Sequence, residues 1–153
     1  MTSRFRQPLA MFTSYAREDS DPRIELRKHL TPLIKQRRLV EWHDRLITAG
    51  SEWRNEIDVH LETAHIALLL ISPDFLHSEY CYDVEMNRAL ERHREGSLRA
   101  VPVLLRDVYW RDEPFSALQV LPSTGHPVCG NQWPTRDAAF VDVVEGLRSV
   151  VAE

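Results

Sequence analysis

The run Ile66–Ile71 (IALLLI) is the feature that most restricts how this chain can fold. It is the longest unbroken apolar stretch in the sequence, so a strand formed from it is apolar on both faces. Such strands lie at the centre of parallel sheets, with helices covering each side. A buried helix has the same composition, but the short length and the following Ser72-Pro73 favour a strand. The run is also far shorter than the ~20 residues that a membrane-spanning helix needs.

Four further short segments have the composition of strands: Leu9–Tyr15, Leu39–Trp42, Ala100–Leu105 and, as a short last strand, Pro127–Cys129. Longer amphipathic segments separate them, and this alternation is typical of a parallel sheet connected by helices. The sequence therefore predicts an α/β fold with a five-stranded parallel sheet and helices on both faces. In such folds, ligands bind beyond the carboxyl ends of the strands.

Residues with capping side chains indicate where the helices begin. Asp21 precedes Pro22, and Ser51, Ser78 and Thr135 each stand before an amphipathic segment. The helix that follows Ser78 is predicted to run to about residue 94. A proline at position 32 is expected to kink or split the helix in which it lies.

Composition excludes several classes of protein. With 153 residues, 43% hydrophobic and 27% charged, the chain has the size and composition of one globular domain. Two cysteines cannot form a disulfide framework or four zinc ligands, and a net charge of −4 does not favour nucleic acid or anionic membranes. The first residues do not have the pattern of a secretion signal, so we do not expect a secreted protein. The sequence has no Gly-rich phosphate loop and no GxSxG motif, and its seven histidines lack metal-binding spacing. We expect a cytoplasmic domain without a metal.

The start of the helix after Ser78 carries side chains that are candidates for catalysis. Cys81 and Glu85 are four residues apart and Ser78 and Glu85 are seven apart, so the three share one helical face. A carboxylate on that face can act as a general base or stabilise positive charge on a substrate. The alternative is that Glu85 is a solvated residue paired with Arg88 or Arg92. Cys81 is better suited to packing than to nucleophilic attack.

A loop between residues 42 and 53 places Leu46 and Ile47 among charged residues and a glycine. Apolar side chains in a loop pack against their own domain or form a surface for a partner. The residues leave both interpretations open.

Three segments resemble the sequence boxes of TIR (Toll/interleukin receptor) domains. Phe12–Tyr15 resembles the first box, Trp42–Trp53 the BB loop, and Ser72–Cys81 the box after the third strand in a version typical of bacterial members. The resemblance extends from about Leu9 to Val151. It implies a flavodoxin-like fold.

The TIR family includes enzymes that cleave NAD+ at the nicotinamide–ribose bond and adaptors that act by self-association. The resemblance implies that Glu85 is the catalytic glutamate. Several relatives have this glutamate three residues after the cysteine, whereas Glu85 is four residues after Cys81, so Asp83 and Glu79 remain outside candidates. The enzyme interpretation implies NAD+ as substrate, no cofactor, and ADP-ribose or a cyclic ADP-ribose as product. The alternatives are a non-catalytic scaffold and a related activity on NAD+.

The resemblance also assigns the other site residues. The residues expected to bind substrate are Phe12, Ser14, Tyr15, Asp44, Arg45, Trp53, Ser78 and Cys81. The loop expected to mediate self-association contains Leu46, Ile47 and Gly50. We expect residues 1–8 to form an N-terminal arm and 9–153 the TIR domain, as the N-terminal part of a longer protein. The expected partners are further copies of the domain and a fused C-terminal sensor or oligomerising module, in anti-phage defence.

Overall fold

The sheet of this protein contains four parallel strands within the residues that the structure describes. The structure is a computed structural model, and it describes residues 7–43 and 53–152, without the side chains of 53–56. The strands are β1 (Leu9–Ser14), β2 (Leu39–Trp42), β3 (Ile66–Ile71) and β4 (Arg99–Leu104), and their spatial order is β2-β1-β3-β4. The parallel α/β prediction is confirmed. The sequence-order neighbours β1 and β2 lie side by side, and the chain then crosses β1 to place β3 on its other side.

Helices follow each of the first three strands, and a last helix closes the chain. Their bounds are α1 (Ser20–His29), α2 (Thr31–Lys35), α3 (Trp53–Thr63), α4 (Pro73–His77), a π-helix (Glu79–Met86), α5 (Asn87–Arg94) and α6 (Arg136–Ala152). The prediction at Pro32 is confirmed, because α1 ends at His29 and α2 begins at Thr31. The predicted caps at Ser78 and Thr135 are also confirmed, since each hydroxyl accepts a hydrogen bond from the backbone N–H three residues later.

The two faces of the sheet carry two separate apolar layers. α1, α2 and α6 cover one face, where Leu68 and Phe140 are buried. α3, α4, the π-helix and α5 cover the other face, where Leu69 and Phe75 are buried. All six side chains of β3 are buried, so the prediction of a central strand covered on both faces is confirmed.

The fifth strand predicted at Pro127–Cys129 is not confirmed: in the described ranges the sheet has four strands. Leu121 occupies the edge of β4 instead, where it donates to the Pro102 carbonyl (2.9 Å) and accepts from the Leu104 N–H (2.7 Å). The Val128 N–H then donates to the Leu104 carbonyl at 2.9 Å. A proline follows Leu121 and another precedes Val128, and neither can donate to a ladder. The edge of β4 is therefore covered by irregular chain.

Candidate active site

The site lies where the direction of chain winding reverses in the sheet. From β1 the chain continues to β2 on one side and then to β3 on the other, so β1 and β3 form the switch point of the fold. Open parallel sheets bind ligands in the crevice beyond the carboxyl strand ends at this point. Ser14 ends β1, and the π-helix that carries Glu85 follows β3.

Glu85 is buried and hydrogen-bonded to the end of β1. Glu85 is only 4% exposed, and its Oε1 accepts a hydrogen bond from Ser14 Oγ at 2.5 Å. Burial of a carboxylate is costly unless hydrogen bonds or charges compensate. A carboxylate held in this crevice can stabilise positive charge that develops on a bound substrate.

The alternative in which Glu85 is solvated and pairs with an arginine of its own helix is wrong. Arg88 pairs with Glu62 and Glu91. Arg92 donates to the backbone carbonyls of Leu61 and Ala64, at 2.8 and 2.9 Å. Both arginines therefore serve the packing of α5 on the end of α3.

The π-helix explains how Glu85 points toward Ser14 although it stands four residues after Cys81. A π-helix has i→i+5 hydrogen bonds and a wider turn than an α-helix, and such segments are frequent at functional sites. Cys81 and Glu85 are both buried, whereas Glu79 and Asp83 are exposed. Burial thus separates Glu85 from the two outside candidates.

The thiol and the cap at the start of the π-helix fix its position relative to β1. The Cys81 thiol donates to the Tyr15 carbonyl at 3.3 Å, and the Ser78 hydroxyl accepts from the Cys81 N–H at 3.1 Å. The structure therefore joins Ser14 to Glu85, and joins Tyr15 and Ser78 to Cys81 in the same π-helix.

The Tyr15 ring points away from this cluster, because successive side chains of a strand lie on opposite faces. It is buried against α1, where the Arg23 guanidinium lies 5.3 Å from the ring centroid. The His43 ring meets its edge at 6.0 Å. Tyr15 thus contacts the candidate crevice through its backbone, and its ring packs on the other side of β1.

Phe12 lies deeper, on the Ser14 side of β1. It is fully buried, and Trp42 stacks over it with ring centroids 5.5 Å apart. Trp42 also stacks on His60 at 4.0 Å, with the two planes 9° apart. Trp42 is half-buried at the carboxyl end of β2, so this ring, which was not among the predicted site residues, lies between Phe12 and the edge of the sheet.

Several predicted residues cannot be placed. Asp44, Arg45, Leu46, Ile47 and Gly50 lie outside the described residues. Trp53 is the first residue of α3, but the structure does not describe its side chain.

A second buried carboxylate, Glu41, lies on the opposite face of the sheet. It accepts a hydrogen bond from Thr13 Oγ1 at 2.8 Å, and the guanidinium groups of Arg27 and Arg23 lie 3.4 and 3.9 Å from it. These partners compensate its charge. Glu41 is therefore the anionic member of an ion-pair cluster that joins β1, β2 and α1.

A third buried carboxylate connects the loops at the carboxyl edge. Asp19 accepts hydrogen bonds from Ser72 Oγ (2.5 Å) and Arg106 Nε (2.8 Å), and Arg106 also donates to Asp74 at 2.5 Å. The hydrogen bond with Asp19, followed by that with Asp74, raises the pKa of Arg106 above its ordinary value. Sequence reasoning missed this cluster, because Asp19 stands in a run of charged residues that looks like an ordinary solvated surface.

Two general properties concern the described ranges as a whole. Among residues 7–43 and 53–152, no three histidine, cysteine, aspartate or glutamate side chains are grouped so that they could hold a metal ion. None of the described helices has the length and apolar character needed to cross a membrane.

The fold and the site define a class of protein: a doubly wound parallel α/β domain with a buried carboxylate at its switch point. Comparison of sequences identifies the family. The sequence model of the TIR domain matches residues 11–139, so the chain belongs to the TIR domain family. The predicted resemblance to the TIR family is thereby confirmed.

A bacterial protein shares much of the sequence. The uncharacterized protein y4lF of Sinorhizobium fredii (strain NBRC 101917 / NGR234) is 42% identical over 139 residues, which cover 91% of this chain. The same match covers 42% of the relative, so the chain spans less than half the length of that protein.

Proposed function

We propose that this TIR domain is an NAD+ glycohydrolase in which Glu85 stabilises the transition state. The observation that carries the proposal is the buried Glu85 carboxylate, which accepts a hydrogen bond from Ser14 between the carboxyl end of β1 and the π-helix. TIR domains of bacteria include both NAD+-cleaving enzymes and scaffolds. A scaffold does not require a buried carboxylate at the ligand crevice, where its desolvation reduces stability.

The reaction breaks the bond between the ribose C1′ and the nicotinamide nitrogen. The electron pair of that bond goes to the pyridinium ring, so nicotinamide leaves neutral and the ribose acquires oxocarbenium character. The Glu85 carboxylate stabilises this charge, as the carboxylates of glycosidases do. Water then forms a bond to C1′ and loses its proton to Glu85 or to solvent, which yields ADP-ribose. Attack by an adenine ring nitrogen in place of water yields a cyclic product.

The residues around Glu85 have distinct parts in this proposal. Ser14 holds one oxygen of the Glu85 carboxylate and thereby fixes the orientation of the group. Trp42 is already stacked on Phe12 and His60, so its proposed part is to support the wall of the nucleotide site. Asp44, Arg45 and Trp53 remain proposed contacts of the nucleotide.

We further propose that self-association activates the enzyme through the loop containing Leu46, Ile47 and Gly50. The family supports this step, because TIR domains generally self-associate. The remaining parts of the proposal are a cytoplasmic role in anti-phage defence and a fused C-terminal sensor or oligomerising module. Activity would then rise more steeply than linearly with protein concentration.

The decisive experiment compares nicotinamide release by the wild type and by Glu85→Gln at high protein concentration. Chromatography separates ADP-ribose from cyclic products. The Gln side chain has the same shape and can still accept from Ser14, so we expect a folded variant whose turnover falls at least ~100-fold. Glu91→Gln, which alters an exposed carboxylate of α5, is the matched control and should retain turnover.

Two other outcomes would contradict parts of the proposal. Loss of turnover in Glu79→Gln, with Glu85→Gln active, would show that the catalytic carboxylate is the exposed one. A wild type that is silent at every concentration, with and without crowding agents, would favour the scaffold.

A further inference from the structure

We propose that Asp19 is a positioning residue that holds the two segments of the candidate active site together. One segment leaves β1 through Ser14 and Tyr15, and the other leads from β3 through α4 to Glu85. The expected effect of Asp19 on kcat rests on the proposed function. Its expected effect on how firmly the two segments are held rests on the geometry alone.

Asp19 is a buried carboxylate with an unusual set of partners. It is 1% exposed, and its two oxygens accept from different chain segments: Oδ2 from the hydroxyl of Ser72 and Oδ1 from the Nε of Arg106. These segments follow β3 and β4, while Asp19 itself follows β1. One carboxylate therefore joins the chain at the carboxyl ends of three adjacent strands.

Ser72 extends this connection toward Glu85. Its hydroxyl donates to Asp19 and also accepts a hydrogen bond from the Phe75 N–H at 3.1 Å. This second bond caps the N-terminus of α4. α4 ends at His77, and Ser78 then caps the π-helix that carries Glu85. The orientation of Ser72 thus determines where the chain that leads to the π-helix begins.

The two segments are joined at two levels. Close to the sheet, Ser14 donates to Glu85 and the Cys81 thiol donates to the Tyr15 carbonyl. Farther out, Asp19 binds Ser72, and Arg106 adds a second connection by bonding both Asp19 and Asp74 of α4. If the contacts of Asp19 and Arg106 are lost, only the Ser14–Glu85 and Cys81–Tyr15 hydrogen bonds still hold the two segments together. A misplacement of about 1 Å at a reacting centre can reduce turnover by about 100-fold.

The test uses Asp19→Asn and measures amide hydrogen exchange by segment, together with the kcat and KM of nicotinamide release. We expect faster exchange in segments 15–20 and 72–86, with α6 unchanged. We expect kcat to fall by about 10- to 100-fold, with a smaller change in KM. Glu25→Gln is the matched control, because it removes an ion pair of 2.6 Å with Arg136 between α1 and α6. It should change neither the exchange rates of segments 15–20 and 72–86 nor kcat.

Exchange that accelerates equally in every segment would show a role in global stability only and would overturn the inference. So would a kcat equal to that of the wild type. If Asp19→Asn does not fold, Arg106→Lys tests the outer connection instead, because lysine keeps a positive charge beside the buried Asp19 but lacks the guanidinium that bonds Asp19 and Asp74 together. A wild type that releases no nicotinamide would contradict the proposed function alone, since the exchange pattern still decides whether Asp19 joins the two segments.

Discussion

Ser14 and Glu85 stand 71 positions apart in the chain and share a buried hydrogen bond of 2.5 Å. This bond connects the last residue of β1 to the π-helix, across the switch point of the sheet. It presents a carboxylate at the place where parallel α/β folds bind ligands. The candidate chemistry of this TIR domain depends on that contact.

Removal of the Ser14 hydroxyl should destabilise the fold. Ser14→Ala takes a donor from a buried carboxylate, and we expect the free energy of unfolding to fall by about 1–3 kcal/mol. Urea denaturation measures the change. Ser123→Ala is a fitting control, because Ser123 donates to Asp142 at 2.7 Å on the exposed surface, and its loss should be within about 0.5 kcal/mol. Equal losses for the two variants would contradict the role assigned to Ser14.

Arg92 should be indispensable for packing α5 against α3. Its guanidinium donates to the carbonyls of Leu61, Ala64 and Ser97, so Arg92→Met leaves several acceptors without a donor. We expect a loss of about 3 kcal/mol. Arg94→Met changes an exposed neighbour and should be nearly neutral in the same denaturation experiment. A neutral Arg92→Met would mean that water replaces these bonds at no cost.

Phe140 should anchor α6 to the sheet. It is fully buried and stacks on His29 with ring centroids 5.4 Å apart. Phe140→Ala should cost about 3–5 kcal/mol, because it removes apolar contact and leaves a cavity. Val141→Ala, at the next position and on the exposed side of α6, should change stability little. Thermal or chemical unfolding of the two variants distinguishes the buried face from the exposed one.

His93 should make the fold less stable in mild acid. Burial, followed by the charges of Arg99 and Arg94, lowers its pKa below the ordinary 6.5. In the folded state its Nδ1 also accepts the Ala100 N–H at 3.0 Å, which requires the neutral ring. The unfolded state therefore binds more protons, and stability falls as the pH drops below about 6.5, until the folded-state pKa is passed.

The measurement for His93 is the free energy of unfolding between about pH 7.5 and pH 5.5. His93→Gln should lose less stability over this interval than the wild type, whereas His126→Gln, which changes an exposed loop residue, should follow the wild type. Identical pH profiles for the wild type and His93→Gln would show that another group is responsible.

Much of the fold could be predicted, because its signals are local. The composition of Ile66–Ile71 predicted the central strand, and hydroxyl side chains predicted the caps at Ser78 and Thr135. The helix predicted after Ser78 is present, but its first part is a π-helix, which the spacing of apolar residues does not reveal. The segment Pro127–Cys129 has the composition of a strand, but the backbone of Leu121 forms the hydrogen bonds to the edge of β4 there.

The candidate site shows the same division. The sequence by itself determined which strands alternate with helices, which family the chain resembles, and that Glu85 shares a helical face with Cys81, since these properties depend on neighbouring residues. The tertiary structure decided that Glu85 is buried against Ser14 and that Asp19, Ser72 and Arg106 form one cluster. These contacts join residues from different strand ends, so they exist only once the parallel sheet has brought those ends to one edge. A charged residue has the same local sequence signal whether it is solvated or buried, and only the folded chain supplies the partners that make its burial possible.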